Sequence, residues 1–377
     1  MLNILAAVLL FGFIVLAHEF GHFLLAKGNG VGVLEFSVGM GPRIVSLVKE
    51  DGHYHPKLFA RVPEDAIALS SEDTSYSWKI FPFGGSCAMM GEDANSDDPG
   101  AFNNKSVFVR IAVIAAGPVF NFILAFLFAV VLVVSSGHDF AVIYDVTEHS
   151  AAAKAGLASG DRITKINRRR IEGYRDVLLY TYVHPGEELT IQYQRPVGGD
   201  WENGGAAEIR TVTLTPRYSE EYGSYLIGVR FSGYEKVQGL GEILYYSLYE
   251  VRYCVRSTID GIGMLIRGQI EAGEAVTGPV GIVTMVGETV EEGRESGMGA
   301  VVLILSNWVL LLSSSLGIMN LLPIPALDGG RLLFLFIELI RGEPVNPEME
   351  GKVHLAGMMV LMALMVVILF NDISRIL

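Results

Sequence analysis

Cysteine is scarce in this chain, and what the sequence lacks excludes several classes of protein. Only 2 of the 377 residues are cysteine, Cys87 and Cys254, and they form neither a CxxC pair nor a disulfide framework. Acidic residues outnumber basic ones by 41 to 28, and the net charge of −13 argues against nucleic acid as a partner. Charged residues make up 18% of the chain and hydrophobic residues 51%. Because soluble proteins carry roughly 25% charged residues, this composition is typical of a membrane protein with a sizeable soluble part. The length of the chain allows about two or three domains.

The apolar N-terminus lacks the features of a cleaved secretory signal. No basic segment precedes the apolar run, and no small-residue cleavage site precedes Lys27. We therefore expect residues 1–27 to be retained as a membrane span.

Four segments are long and apolar enough to cross a bilayer, which takes about 20 mostly apolar residues. The sequence predicts a multi-pass α-helical membrane protein with four transmembrane helices, a group of membrane-associated β-strands and one inserted α/β domain. The predicted spans cover residues 1–27, 107–136, 300–322 and 353–371.

The region between the first two spans, residues 28–106, is predicted to contain β-strands. Its segments "VLEFSVGMGPRIVSL" and "YSWKIFPFGGSCAMMGE" are rich in β-branched and aromatic residues and are punctuated by glycine, a pattern typical of short strands with tight turns. Both are apolar enough to dip into the membrane. Between them, "KEDGHYHPK" and "SSEDTS" predict a polar loop. His53 and His55 in that loop raise the question of a second metal, but their i, i+2 spacing favours a solvated pair.

The rest of the chain divides into a soluble module and two connectors. Residues 139–233 alternate strand patterns with short helical ones, and "ELTIQYQR" and "IRTVTLTPR" are clear alternating strands. Residues 234–299 are amphipathic, broken by charges and typical of an interfacial segment rather than a span. Residues 323–352 form the connector between the last two spans.

The first span contains an HExxH motif, His18–Glu19–His22. On a helix the two histidines are one turn apart and project from one face, as two corners of a tetrahedral zinc site require. Glu19 lies about 100° around the helix, where it can reach the water that the metal activates and act as general base. HExxH also occurs by chance in soluble helices. In a membrane span, however, a charged residue costs at least about 2.5–3.5 kcal/mol, which favours a functional site.

A catalytic zinc takes three protein ligands, and "MNLLPIPALDGGR" supplies the candidate for the third, Asp328. Pro323 and Pro325 prevent a regular helix, and Gly329–Gly330 allow a tight turn at the membrane edge. The alternative is a helix-capping aspartate. The topology favours the ligand, because with one intervening pair of spans Asp328 emerges on the same membrane face as the motif. Basic residues flank that face, which predicts that it is cytoplasmic.

At these motifs the chain resembles the site-2 protease family, in particular the bacterial regulator-type intramembrane zinc metalloproteases that carry a PDZ domain. The resemblance runs nearly end to end, because several motifs occur in the family order. They are HEFGH, "PFGGSCAMMGE", "GPVFN", a PDZ-like module with "AAAKAGLASGDRITKIN", "GPVGI" and "NLLPIPALDGG".

The resemblance implies a fold, a cofactor and roles for particular residues. It implies one Zn²⁺ per chain, with His18, His22 and Asp328 as ligands and Glu19 as the catalytic base. Asn121 and Asn320 would line the site and contact the substrate or the transition state; the alternative for Asn121 is helix packing. Residues 139–233 would be a PDZ-like domain that binds a peptide by strand addition or excludes bulky ectodomains.

The predicted function is therefore an intramembrane zinc endopeptidase that cleaves the transmembrane segments of single-pass membrane proteins. By analogy with the family, its substrates would be anti-sigma factors or remnant signal peptides. We expect it in a bacterial inner or plasma membrane, with its active site toward the cytoplasm and the PDZ-like domain outside. The alternative is a non-catalytic PDZ-bearing scaffold or a metal-binding transporter-like protein, for which the Glu19 carboxylate has no use. A conventional zincin anchored by its N-terminus does not explain why the motif lies within the span.

Overall fold

The computed structural model describes residues 2–50, 52–59, 73–92, 96–197, 201, 206–270 and 277–376. The chain divides into two compact units. The first comprises Met1–Ala129 and Glu271–Leu377, and the second comprises Val130–Ile270.

The described residues contain helices of very different length. The helices, in chain order, are α1 Leu2–Gly28, α2 Val107–Ser136, α3 Ala151–Lys154, α4 Tyr174–Val183, α5 Leu240–Ile266, α6 Pro279–Glu295, α7 Met298–Leu321, α8 Asp328–Arg341 and α9 Pro347–Ile376. The strands are β1 Val33–Glu50, β2 His53–Leu58, β3 Ser75–Met89, β4 Ile143–Val146, β5 Arg162–Ile166, β6 Arg169–Arg170, β7 Leu189–Pro196, β8 Ala207–Leu214, β9 Arg217–Ser219, β10 Ser224–Leu226 and β11 Val229–Phe231.

Among the described residues, four helices are long and apolar enough to cross a membrane, as the sequence predicts. Each carries many exposed apolar side chains, which a bilayer would cover. These candidate spans are Ile4–Gly28, Val107–Ser136, Met298–Leu321 and Glu348–Ser374.

The first unit also holds a sheet with the strand order β2-β1-β3. The sequence predicts short strands in this region, whereas the structure has two long, bent strands, β1 and β3. Residues 33–38 of β1 pair with residues 85–89 of β3. Gly39 and Gly84, with φ of +85° and +82°, provide the bends, since glycine adopts positive φ without steric cost. Residues 85–89 of β3 pair with β1 on one side only and form an edge of the sheet, whereas residues 76–78 pair with both halves of β1.

The prediction of a polar loop in "KEDGHYHPK" is wrong. His53–Leu58 is strand β2, which pairs antiparallel with residues 45–50 of β1. The strand is almost entirely exposed, so its sequence lacks the alternation of a half-buried strand. The turn signal was nevertheless present, because Gly52 has a φ of +82° and Asp-Gly is a strong hairpin dipeptide. In "SSEDTS", residues 70–72 lie outside the described ranges, Asp73 and Thr74 have no regular structure, and Ser75 is the first residue of β3.

The second unit is an α/β module around one hydrophobic core. Its largest sheet has the order β6-β5-β7-β8, and two smaller sheets pair β11 with β4 and β10 with β9. The two strands predicted from "ELTIQYQR" and "IRTVTLTPR" are confirmed as β7 and β8, which pair along their whole length. The core is built from side chains of both strands and helices, among them Ile143, Ile163, Val177, Leu189 and Ile191.

Helix α5 belongs to the same compact unit, although the sequence placed it in a separate connector. Buried charges hold it there. Arg175 of α4 donates to both carboxylate oxygens of Asp139 and to Glu250 of α5, and Asp139 and Glu250 are both buried. Arg252 of α5 also donates to Glu172.

Candidate active site

Helix α1 presents His18 and His22 side by side. The chain is helical throughout Leu2–Gly28, so the i, i+4 spacing puts both imidazoles on one face. Their ring centroids are 4.8 Å apart, and both residues are buried. Glu19 lies beside them and is partly exposed.

Asp328 is the first residue of α8, and the segment before it is irregular. Helix α7 ends at Leu321, ahead of Pro323 and Pro325. Gly329 and Gly330 then fold back against this segment. A Cβ on Gly329 would lie 2.1 Å from the carbonyl oxygen of Leu322, so only glycine permits the close turn that delivers Asp328.

The side chains of His18, His22 and Asp328 converge on one point. The Nε2 atoms of His18 and His22 are 3.3 Å apart, and they lie 3.1 and 3.4 Å from Oδ2 of Asp328. In a tetrahedral zinc site with bonds of about 2.0–2.1 Å, the ligand atoms are separated by about 3.3–3.4 Å. Oδ2 of Asp328 is also buried without a hydrogen-bond donor. The three side chains therefore fit a zinc ion in number, chemistry and spacing.

The outer nitrogens of both histidines are held by helix α2. Nδ1 of His22 lies 2.9 Å from the carbonyl oxygen of Val113, which can only accept, so Nδ1 carries the proton and Nε2 is free to bind a metal. Nδ1 of His18 lies 3.2 Å from the side-chain amide of Asn121. The Oδ1 atom of Asn121 is buried and has no donor, which favours the amide orientation in which Oδ1 accepts from His18 Nδ1. Both imidazoles are thus preset as Nε2 ligands.

Two glycines let α1 and α2 approach closely enough to form the site. A Cβ on Gly117 would lie 2.3 Å from Nε2 of His22 and 2.7 Å from Cε1 of His18. A Cβ on Gly21 would lie 2.4 Å from the carbonyl oxygen of Ala116. Small residues at such positions are how membrane helices pack backbone against backbone.

The edge strand β3 passes beside Glu19. A Cβ on Gly85 would lie 3.3 Å from Cγ of Glu19 and 3.0 Å from the carbonyl oxygen of Ser37. Cys87 is two residues further along the same strand and is buried. Burial raises the pKa of the Cys87 thiol, and nearby Glu19 and Glu92 raise it further, so Cys87 does not supply a competing thiolate ligand.

Two groups singled out from the sequence stand apart from this cluster. Asn320, in the last turn of α7, makes no hydrogen bond to His18, His22 or Asp328 in the described part of the chain. His53 and His55 are exposed on β2 and belong to neither group of clustered metal-ligating side chains found among the described residues.

The second such group, His138, Asp139 and Glu250, is fully buried in the other unit. Arg175 donates to both carboxylates of this group. A guanidinium therefore occupies the place of a cation, and the group is an ion-pair network.

Sequence reasoning missed Gly117 and His354. Gly117 stands in the "GPVFN" motif, where a small residue in an apolar helix was the available signal. His354 of α9 has no such signal. Its Nδ1 accepts from the backbone N–H of Ala326 at 2.9 Å, where Ala326 has a φ of +76°, two residues before Asp328.

The site combines two histidines at helical spacing, a distant aspartate and an adjacent glutamate, and it is set among candidate spans. These features define the class of protein as a membrane zinc metalloprotease. Comparison with known proteins places the chain within that class. The model of peptidase family M50 matches residues 6–62 and 62–364, so the chain belongs to this family, that of the site-2 proteases. It is a zinc metalloendopeptidase of a bacterial membrane.

Similar proteins match over essentially the whole chain. A putative zinc metalloprotease of Clostridium acetobutylicum is 33% identical over 98% of this chain and 97% of its own length. The zinc metalloprotease RasP of Geobacillus kaustophilus is 32% identical over 99% and 98%. The regulator of sigma-W protease RasP of Bacillus subtilis is 30% identical over 99% and 98%.

Proposed function

We propose that this protein is an intramembrane endopeptidase in which His18, His22 and Asp328 hold zinc and Glu19 is the catalytic base. The observation that carries the proposal is the triangle formed by the three candidate ligand atoms, which are 3.1–3.4 Å apart. Glu19 lies next to this triangle, on the same helix as the two histidines. Ligands taken from α1 and from α8 match the three-ligand, open form of a catalytic zinc site rather than a closed structural one.

Zinc, when bound, lowers the pKa of water toward 7 and polarises the scissile carbonyl. The Glu19 carboxylate accepts a proton from the attacking water and returns it to the leaving amine. Glu19 is partly exposed, whereas His18 and His22 are buried, so the base is the member of the motif that water and substrate can reach.

The two asparagines have different roles in this proposal. Asn121 is 0% exposed and contacts His18, which supports a role in orienting that ligand in place of the substrate contact implied by the family resemblance. Asn320 is partly exposed, and for it we retain the contact to the substrate or the transition state.

Substrate would bind as an added strand on β3. A protease requires an extended substrate, and an edge strand has backbone N–H and C=O groups free to pair with one. Gly85 of β3 lies against Glu19, which brings this edge to the catalytic base. If proline at single positions from Gly85 to Met89 left cleavage unchanged in a folded, zinc-loaded enzyme, substrate would bind elsewhere.

The four candidate spans support a multi-pass arrangement, and we place the active site toward the cytoplasm from the distribution of basic residues. Lys27, Lys105 and Arg331 lie at span ends or in the connector on the side assigned to the motif, in line with the positive-inside rule. Residues 139–233 would be a PDZ-like domain on the opposite side, contacting a peptide or an ectodomain of the substrate.

The substrates would be single-pass membrane proteins, cut within or beside their spans. The name of the Bacillus subtilis relative, a regulator of sigma-W protease, supports anti-sigma factors as one class, and remnant signal peptides are a second.

Purified full-length protein tests the proposal. We expect about one zinc per chain in both the native protein and Glu19→Gln. The native protein should cleave a membrane-embedded model substrate, and Glu19→Gln should not. Cleavage that survives in Glu19→Gln would refute the assigned base. Zinc binding with no cleavage by the native protein of any membrane substrate in a proteome-wide comparison would favour the scaffold or transporter alternative.

A further inference from the structure

Four of the six residues that line a cavity of about 520 Å³ in the second unit are arginines. The cavity is an open hollow between the β5–β6 hairpin, α4 and α5, and the described residues that line it include no carboxylate. The lining residues are Asn167, Arg168, Arg169, Arg170, Tyr180 and Arg256.

The hairpin that carries three of these arginines is fixed in place. Asn167, with φ of +51°, forms its tip, donates to the hydroxyl of Tyr180 at 3.0 Å and accepts from the N–H of Thr190 at 2.9 Å. Arg169 donates to Asp260 of α5 at 2.7 Å and lies over the Tyr180 ring. The cavity is thus preorganised and does not depend on a ligand for its shape.

Its positive charge is only partly neutralised by the protein, although Arg170 forms an ion pair with Glu172 at 3.4 Å, as Arg169 does with Asp260. Arg168 is exposed and makes no ion pair with any residue that the structure describes. Arg256 is 3.8 Å from Asp176, beyond hydrogen-bonding distance. A Nη1 atom of Arg169 is buried without an acceptor. The chain as a whole has a net charge of −13, whereas this cluster is locally positive and attracts anions.

Helix α5 carries an exposed apolar stripe next to this cavity. Leu240, Leu244, Leu248, Ile259 and Ile266 are exposed, and at about 100° per residue they fall within about 100° of one another around the helix. Arg256 lies about 60° further round. The opposite face of the helix, with buried Tyr249, Glu250 and Met264, packs into the unit, and buried Val251 interrupts the exposed stripe. This is the layout of a helix that lies in a membrane interface, with a basic residue at the boundary of its apolar face.

We propose that the arginine cavity binds the phosphate of an anionic phospholipid headgroup while the apolar stripe of α5 lies among the adjacent acyl chains. Guanidinium groups match phosphate oxygens in pairs, and the two that could do so here are the unpaired Arg168 and Arg256, which is 3.8 Å from Asp176. The stripe selects a lipid over free phosphate, because only a lipid offers apolar surface beside the phosphate. The second unit would thereby be held at a membrane surface independently of proteolysis.

Lipid binding to the full-length protein tests this directly. Protein in neutral detergent is titrated with phosphatidylglycerol and, separately, with inorganic phosphate, and native mass spectrometry counts the bound molecules. In Arg168→Gln/Arg256→Gln we expect the tightest phosphatidylglycerol site to weaken by about tenfold or more, since each surface arginine contributes severalfold to binding anionic lipid. Arg168→Gln alone should weaken it a few fold. Because Arg168 is exposed and unpaired in the described structure, this single variant keeps the test valid if the double variant fails to fold.

Arg217→Gln/Arg230→Gln is the matched control. It removes the same charge from exposed positions outside the cavity, and its affinity should stay within about twofold of the native protein. An equal loss in this control, or no loss in the cavity variants, would overturn the proposal. Leu244→Gln/Leu248→Gln separates the two sources of phosphate, because it should weaken phosphatidylglycerol binding without changing the binding of inorganic phosphate. If inorganic phosphate binds as tightly as the lipid and the leucine variant alters neither, the ligand is free phosphate and the lipid assignment is wrong.

Discussion

Nε2 of His18 and Oδ2 of Asp328 lie 3.1 Å apart, although the two residues come from opposite ends of the chain. A metal bound between them would join α1 to α8, and neither helix supplies all three candidate ligands. Affinity for zinc therefore depends on elements that only the complete fold brings together.

Replacing the third ligand should remove zinc without unfolding the protein. In Asp328→Asn the carboxylate charge is lost, and we expect zinc affinity to fall by more than about 100-fold, beyond the 10- to 100-fold loss typical of groups that only orient a ligand. Competition with a chromophoric chelator measures this. The control is Glu343→Gln, an exposed position with the same change in charge. Unchanged affinity in Asp328→Asn would remove Asp328 from the ligand set.

Gly117→Ala should disable the metal site through a single methyl group. The new Cβ would lie 2.3 Å from Nε2 of His22, so the imidazoles must move apart. We expect zinc occupancy and cleavage to fall together by more than about tenfold. The control is Gly261→Ala in α5, where a Cβ would meet nothing within 4 Å, and which should be neutral or stabilising by up to about 1 kcal/mol. Full zinc occupancy in Gly117→Ala would show that α2 can yield at this point.

The sequence was sufficient to predict that His18, His22 and Asp328 come together, because helical spacing and a proline-broken segment constrain them locally. It could not supply Gly117, whose importance depends on how close α2 comes to α1. It also missed β2, because an exposed strand has no apolar alternation to reveal it. The attachment of α5 through Arg175 was hidden for a similar reason, since a buried ion pair between distant residues has no pattern in the sequence.

His354→Ala should loosen the segment that delivers Asp328. The imidazole of His354 accepts the N–H of Ala326, a non-glycine residue held at positive φ at a cost of about 1–3 kcal/mol. Without that acceptor the strained turn relaxes, and zinc affinity should fall severalfold. His354→Asn, which retains an acceptor at a similar distance, should recover most of the affinity. The control is His53→Ala on the exposed strand β2. If the alanine and asparagine variants bound zinc equally, the hydrogen bond would have no positioning role.

Arg175→Met should destabilise the second unit by about 3–5 kcal/mol, because it leaves the carboxylates of Asp139 and Glu250 buried without their shared partner. Pulse proteolysis of the full chain in urea, with fragments mapped to residues 130–270, measures the free energy of unfolding. Arg210→Met removes the same charge from an exposed pair with Glu208 and should change stability little. Equal effects of the two substitutions would mean that the network contributes nothing beyond surface charge.

The proposed zinc ligands are divided between α1 and α8, so the order of synthesis would also set when the metal site can be completed. A ribosome adds about 5–20 residues per second, and roughly 300 residues separate His22 from Asp328, so the third ligand is made about 15–60 s after the second. During that interval the nascent chain already carries its HExxH motif in the membrane but cannot complete a metal site. Until Asp328 has been made, the nascent chain would therefore be unable to complete the proposed metal site.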